Sequence, residues 1–111
     1  MEEICEFEAV FDKSDVFSDG NLKLRFEAPY SEISNVIQTV MVVDEVFGVE
    51  ITEELADNPL IKIPENIFWK LQVYKDGNAK FEFKCNPKTF DTNKLTEIIE
   101  ENVKIKVIRD E

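Results

Sequence analysis

The chain has no histidine. That removes the side chain that most often serves as general base, metal ligand or triad partner near neutral pH. Carboxylate chemistry remains open, but the expectation is a protein that is not an enzyme. Glycine is scarce, with three residues in 111, and none stands in a phosphate-cradling loop. The two cysteines, Cys5 and Cys85, are too few for a disulfide framework and lack metal-ligand spacing. Both fall on the inward side of strand-like runs and read as small core hydrophobes. A disulfide between them would require neighbouring strands and an oxidising compartment. No apolar run approaches the ~20 residues of a membrane helix. The start, Met1-Glu-Glu-Ile-Cys5, is acidic, unlike the positive opening of a secretory signal. The expectation is a cytoplasmic protein with no membrane contact, no metal and no cofactor.

Basic residues are scarce in one half only. Residues 1–57 hold 15 Asp/Glu against 3 Lys/Arg, a net of −12, whereas residues 58–111 hold 9 against 10. The total of −11 therefore lies almost wholly in the first half. Such a surface repels nucleic acid and anionic lipid, and a basic protein surface complements it.

What the chain does have is alternation. Residues 67–85 place two period-two runs around Asp76-Gly77-Asn78. Trp69, Leu71 and Val73 share a face before the turn; Ala79, Phe81, Phe83 and Cys85 share one after it. An Asp-Gly pair between alternating runs predicts a hairpin with a type I′ turn. The same design precedes it. Cys5, Phe7, Ala9 and Phe11 alternate, a polar loop ends in Asp19-Gly20-Asn21, and Leu22, Leu24, Phe26 and Ala28 alternate up to Pro29.

Ser31 is the expected N-cap of a helix carrying Ile33, Val36, Ile37 and Val40, running to about Phe47 with Gly48 as its cap. The run at 40–43 also suits a buried strand. Val49 and Ile51 open a short strand. Residues 53–66 form the connector, with Leu60–Ile63 as an edge strand between prolines. Asp91 should cap a second helix, about Thr92 to Glu101, with Leu95, Ile98 and Ile99 inward. Val103, Ile105 and Val107 make the last strand.

The reading is an α+β fold in one domain, 1–111. It consists of two ββαβ repeats, about 4–52 and 67–109, forming mostly antiparallel sheet with both helices on one face. Setting Asp19-Gly20-Asn21 on Asp76-Gly77-Asn78 brings Leu24 and Phe26 onto Phe81 and Phe83, and Ala28 onto Cys85.

Three clusters carry candidate chemistry. Asp12, Asp15 and Asp19 resemble a calcium loop, but counting from Asp15 puts Phe17 and Phe26 at ligand positions, so turn-forming aspartates are the better reading. Glu50, Glu53, Glu54 and Asp57 could hold Mg²⁺ or do acid–base work, yet no cleft or phosphate loop accompanies them. Phe17, Tyr30, Phe68, Tyr74 and Val10 lie off the core stripe, and Lys70, Lys80, Lys84, Lys104 and Lys106 face outward, which would suit single-stranded nucleic acid. The leading expectation is a small acidic interaction module binding a basic surface of a partner, itself a nucleic-acid-binding protein in the sharpest version. In that version it is an inhibitor that places carboxylates where phosphates would lie; its size, acidity and lack of catalytic groups fit that, as they fit many small viral or mobile-element proteins. Its contact residues are Glu6, Glu8 and Glu27 on two paired strands, with Glu50, Glu53, Glu54 and Asp57 after the short strand. The alternatives are a nucleic-acid accessory protein using the lysine-rich outer strands, and a plain assembly subunit.

Overall fold

The computed structural model describes residues 2–41 and 46–109, with side chains described over 5–35 and 46–109. Six strands follow in chain order: β1 (Glu2–Val16), β2 (Leu22–Pro29), β3 (Phe47–Glu53), β4 (Ile61–Val73), β5 (Asn78–Cys85) and β6 (Asn102–Arg109). Helix α1 (Tyr30–Met41) joins β2 to β3, and two 3₁₀ turns, Pro87–Thr89 and Thr92–Glu97, join β5 to β6. The strands close into a barrel in the order β1-β2-β5-β4-β3-β6, every neighbouring pair antiparallel. Strands β3, β4 and β5 are consecutive neighbours and β6 returns beside β3, which is a Greek key.

Closure overturns the expected α+β sheet with two helices on one face. Each strand has a single apolar face, and a sheet curled on itself buries that face without helical cover. It also leaves no unpaired edge. The second expected helix is only the 3₁₀ stretch Thr92–Glu97, and Ile99 is exposed rather than inward. Asp91 does cap that stretch, its Oδ1 accepting from the Asn93 N–H. Helix α1 starts at Tyr30, ahead of Ser31, and ends at Met41; Phe47 and Gly48 belong to β3, not to a helix end. The ambiguous run at 40–43 is helical at Val40 and Met41 and otherwise lies outside the described residues. Leu60–Ile63 is no edge strand. From Ile61 it runs into β4, an interior member of the barrel, so the connector shrinks to 54–60.

The core fills with aromatic rings from alternating positions. Phe26 stacks on Phe81 with centroids 5.5 Å apart, Phe7 meets Phe81 edge-on at 5.7 Å, and Phe47 meets Phe83 edge-on at 5.2 Å. Phe11 leans on Phe26 at 5.4 Å. Such pairs contribute about 0.5–1.5 kcal/mol each beyond their buried area. Helix α1 contacts β1, β2 and β4 and buries Ile33, while Leu95 and Ile98 are buried beside the 3₁₀ turn. Cys5 and Cys85 are not joined in a disulfide; they lie on β1 and β5, which are not neighbours in the barrel. Burial pushes the Cys85 thiol up to about 12.

The two hairpins share one register. Phe11↔Phe26 recurs as Phe68↔Phe83, and Lys13↔Arg25 as Lys70↔Glu82, each residue 57 positions further along. Both hairpins slip by one residue at the same place, at Asp12 in β1 and at Trp69 in β4. Both turns also bond alike. Gly20 N–H donates to Phe17 O and Phe17 N–H to Asn21 O; Gly77 N–H donates to Tyr74 O and Tyr74 N–H to Asn78 O. Only the glycines have positive φ, +89° and +93°, so each is a three-residue loop ending in a glycine bulge, not a type I′ turn. Exchanging β1 with β4, β2 with β5 and β3 with β6 returns the same strand circle.

The slip at Trp69 explains another departure. A bulge reverses which side chains face inward beyond it. Trp69 therefore points outward and Phe68 takes the inward place, while Leu71 and Val73 stay opposite the buried Phe81 and Ala79; Leu71 packs against the core, and Val73, at the strand's end, is half exposed. A second slip, opposite Gly48, holds Pro64 where no ladder donor is needed, and buried Asn66 ties it down by donating to Phe47 O and Ile63 O.

Candidate functional site

The candidate acids divide between the barrel wall and one barrel end. Glu6, Glu8 and Glu50 are on the wall. Glu6 stands opposite Lys106, which stands opposite Glu50, which stands opposite Lys62. Glu8 stands opposite Lys104, and Glu27 opposite Lys80. The Glu6 Oε2 to Lys106 Nζ distance is 4.0 Å. Cross-strand pairs of opposite charge stabilise a ladder modestly and cancel each other's field at a distance.

The remaining three acids lie at one end. Glu53 closes β3, while Glu54 and Asp57 follow in the loop to β4. That loop is tied back by Ala56 N–H donating to Glu53 O and Leu60 N–H donating to Ile51 O. Because Glu53 pairs with Val103, the loop lies against the segment entering β6. There Glu97 and Glu101 line the same shallow depression of about 520 Å³ as Glu53 and Glu54. Leu55 lies on its rim, 98% exposed. Glu100 has a left-handed backbone, φ 63°, held by its N–H donating to Phe11 O at 2.7 Å while Phe11 N–H donates to Glu101 O. Among the described residues, none of Glu53, Glu54, Asp57, Glu97, Glu100 and Glu101 has a salt-bridge partner. No group of three or more carboxylates among these residues closes to metal-binding distance. The acids form a surface, not a cage.

Glu97, Glu100 and Glu101 were absent from the sequence-derived site. Their acidity is visible in the chain, but the signal joining them to Glu53 and Glu54 is the β3–β6 pairing, a long-range contact that periodicity does not encode.

A second cluster gathers on the outer wall where β2, β5 and β4 meet. Phe17 and Trp69 meet edge-on, centroids 4.9 Å apart. The Lys84 ammonium lies 4.7 Å from the Phe17 ring centre and 5.2 Å from that of Trp69, and Lys23 lies 5.8 Å from Phe17. Lys84 also pairs with Asp19 at 2.9 Å. The Asn21 N–H bonded to Asp19, reinforced by Lys84, holds the Asp19 carboxyl down to about 2. Glu82, on the outward side of the β5 alternation between Lys80 and Lys84, is nonetheless 3% exposed beneath Arg25, whose Nε and Nη2 both donate to Glu82 Oε2 at 3.0 and 2.9 Å. Tyr74 at the far turn has Lys80 over its ring at 5.9 Å.

No protein-family model matches the chain, and no curated protein matches it in sequence. No helix among the described residues is long and apolar enough to cross a membrane.

Proposed function

We propose that this protein is a small, non-enzymatic interaction module whose acidic barrel end docks on a basic surface of another protein. The observation that carries the reading is the contrast between two sets of carboxylates. Those on the wall, Glu6, Glu8, Glu27 and Glu50, stand opposite lysines. Those at the end, Glu53, Glu54, Glu97 and Glu101 around one depression with Asp57 and Glu100 in the flanking segments, have no salt-bridge partner among the described residues. Unpaired like charges destabilise a fold by self-repulsion, so their concentration favours a role in steering and holding a cationic partner. Leu55 at the rim supplies an apolar contact that dehydrates on docking. A nucleic-acid-binding protein has such a basic surface, and carboxylates set into it exclude the phosphates it normally meets; inhibition is the form of the function this chemistry suits best. A reducing cytoplasm suits two cysteines that are kept on separate strands and not joined in a disulfide.

The test is capture from a nuclease-treated lysate by immobilised protein, comparing wild type with Glu53→Lys/Glu54→Lys and with Glu6→Lys/Glu8→Lys. A protein partner held by wild type and the wall variant but lost by the end variant supports the reading. Retention by the end variant, or loss of all binding on nuclease treatment, refutes it.

A further inference from the structure

The geometry points to a second binding surface, for single-stranded nucleic acid, on the barrel wall around Trp69, Phe17, Lys23 and Lys84. Two independent features lead there. The first is an arrangement of like charges. Lys23 and Lys84 are direct cross-strand partners, although like charges in that position destabilise a sheet. The pair 57 positions away in the hairpin repeat, Lys80 opposite Glu27, is of opposite sign. Lys84 pairs with Asp19 at 2.9 Å, and Lys23 lies 3.8 Å from Asp15 and 3.7 Å from the buried Glu82. Asp15 and Asp19 are partly exposed strand-end and turn carboxylates, and exposed pairs of this kind are weak, so a phosphate can replace those two.

The second is the position of the chain's only tryptophan. The register slip in β4 turns Trp69 outward, 48% exposed, where the matching slip in β1 has Asp12. Bulges commonly re-aim side chains at binding sites. With Phe17 beside it and two ammonium groups between the strands, the wall offers a ring for a base next to cations for its phosphate. A second ring-and-lysine station, Tyr74 with Lys80, stands four ladder rows further along β2 and β5, about 14 Å at ~3.4 Å per residue. A ligand that repeats base and phosphate along its length matches repeated stations; an acidic peptide has no flat ring at each charge. The wall also adds Arg25 and Lys70 around the buried carboxylate of Glu82.

Trp69 is its own reporter. The experiment titrates the full chain with fluorescein-labelled oligothymidylate about 12 nucleotides long, at low salt, reading anisotropy and tryptophan emission together. The expected result is a rise in anisotropy with quenching of Trp69, and a log–log salt slope of roughly −0.7 for each phosphate engaged. Trp69→Ala should weaken binding about tenfold, by the loss of one stacked base. Lys23→Glu and Lys84→Glu should abolish it, while Lys104→Glu, on the opposite wall, should leave it within twofold. Thermal melting identifies any variant that fails to fold, and Trp69→Phe, which keeps the ring, should bind nearly as wild type. Absence of binding at low salt, binding without quenching, or equal binding by folded Trp69→Ala overturns the proposal. Quenching by an oligoglutamate peptide but not by the oligonucleotide also overturns it and assigns the wall to a protein ligand.

Discussion

An added Cβ at Gly20 or Gly77 meets no atom within 4 Å, yet φ at both lies near +90°. The expected cost of Gly→Ala at either turn is therefore conformational alone, about 1 kcal/mol, and denaturant melts should show the two nearly equal. The ring positions should be far less forgiving. Phe26 is fully buried and touches Phe11, Phe81 and Phe83, so Phe26→Ala should cost roughly 3–5 kcal/mol. Cys85 gives a pH signature. Its folded-state value of about 12 lies above the ~8.5 of an unfolded thiol, so above ~8.5 the unfolded chain ionises first. Its contribution to stability is fully present below that pH and declines from there towards pH 12. Melts between pH 7 and 10 should show a decline that is smaller in Cys85→Ala, and Cys85 should react with thiol reagents only on unfolding.

Among the elements, β2, β5 and β6 were legible because each alternates without interruption and buries one face: Leu22, Leu24, Phe26 and Ala28; Ala79, Phe81, Phe83 and Cys85; Val103, Ile105 and Val107. Strand β4 was not, because two register slips in 13 residues scramble its period and push Trp69 outward. Nor does a period of two identify a neighbour. The pairing of β6 with both β1 and β3 closes the barrel, and it joins residues about 50 to 100 positions apart. Glu82 went unread for a related reason: its position is outward in the pattern, but Arg25 on the adjacent strand covers it. Removing that carboxylate leaves Arg25 uncompensated between β2 and β5. Glu82→Ala should therefore destabilise by about 3 kcal/mol, and Arg25→Met combined with Glu82→Leu should recover most of the loss in the same melts.

Over the whole molecule, the acidic excess of the first half was plain in the sequence, but its division between wall and end was not, since that depends on which strands meet. Folding sets lysines of the second half, Lys104, Lys106, Lys62 and Lys80, against wall acids of the first, and leaves the carboxylates of the β3–β4 loop beside those before β6. Reversing end charges should thus reduce self-repulsion: Glu53→Lys/Glu54→Lys should fold normally and melt no lower than wild type. Glu6→Lys/Glu8→Lys, which sets lysine against Lys106 and Lys104, should melt lower. The central claim, that the acidic end is the docking surface, is tested most directly by residue-resolved amide NMR of the protein titrated with an arginine-rich peptide at physiological salt. The account predicts that shifts concentrate at residues 53–57 and 97–101 and vanish in Glu53→Lys/Glu54→Lys. Shifts centred on Glu6, Glu8 and Glu50, or spread evenly over every acid, would contradict it.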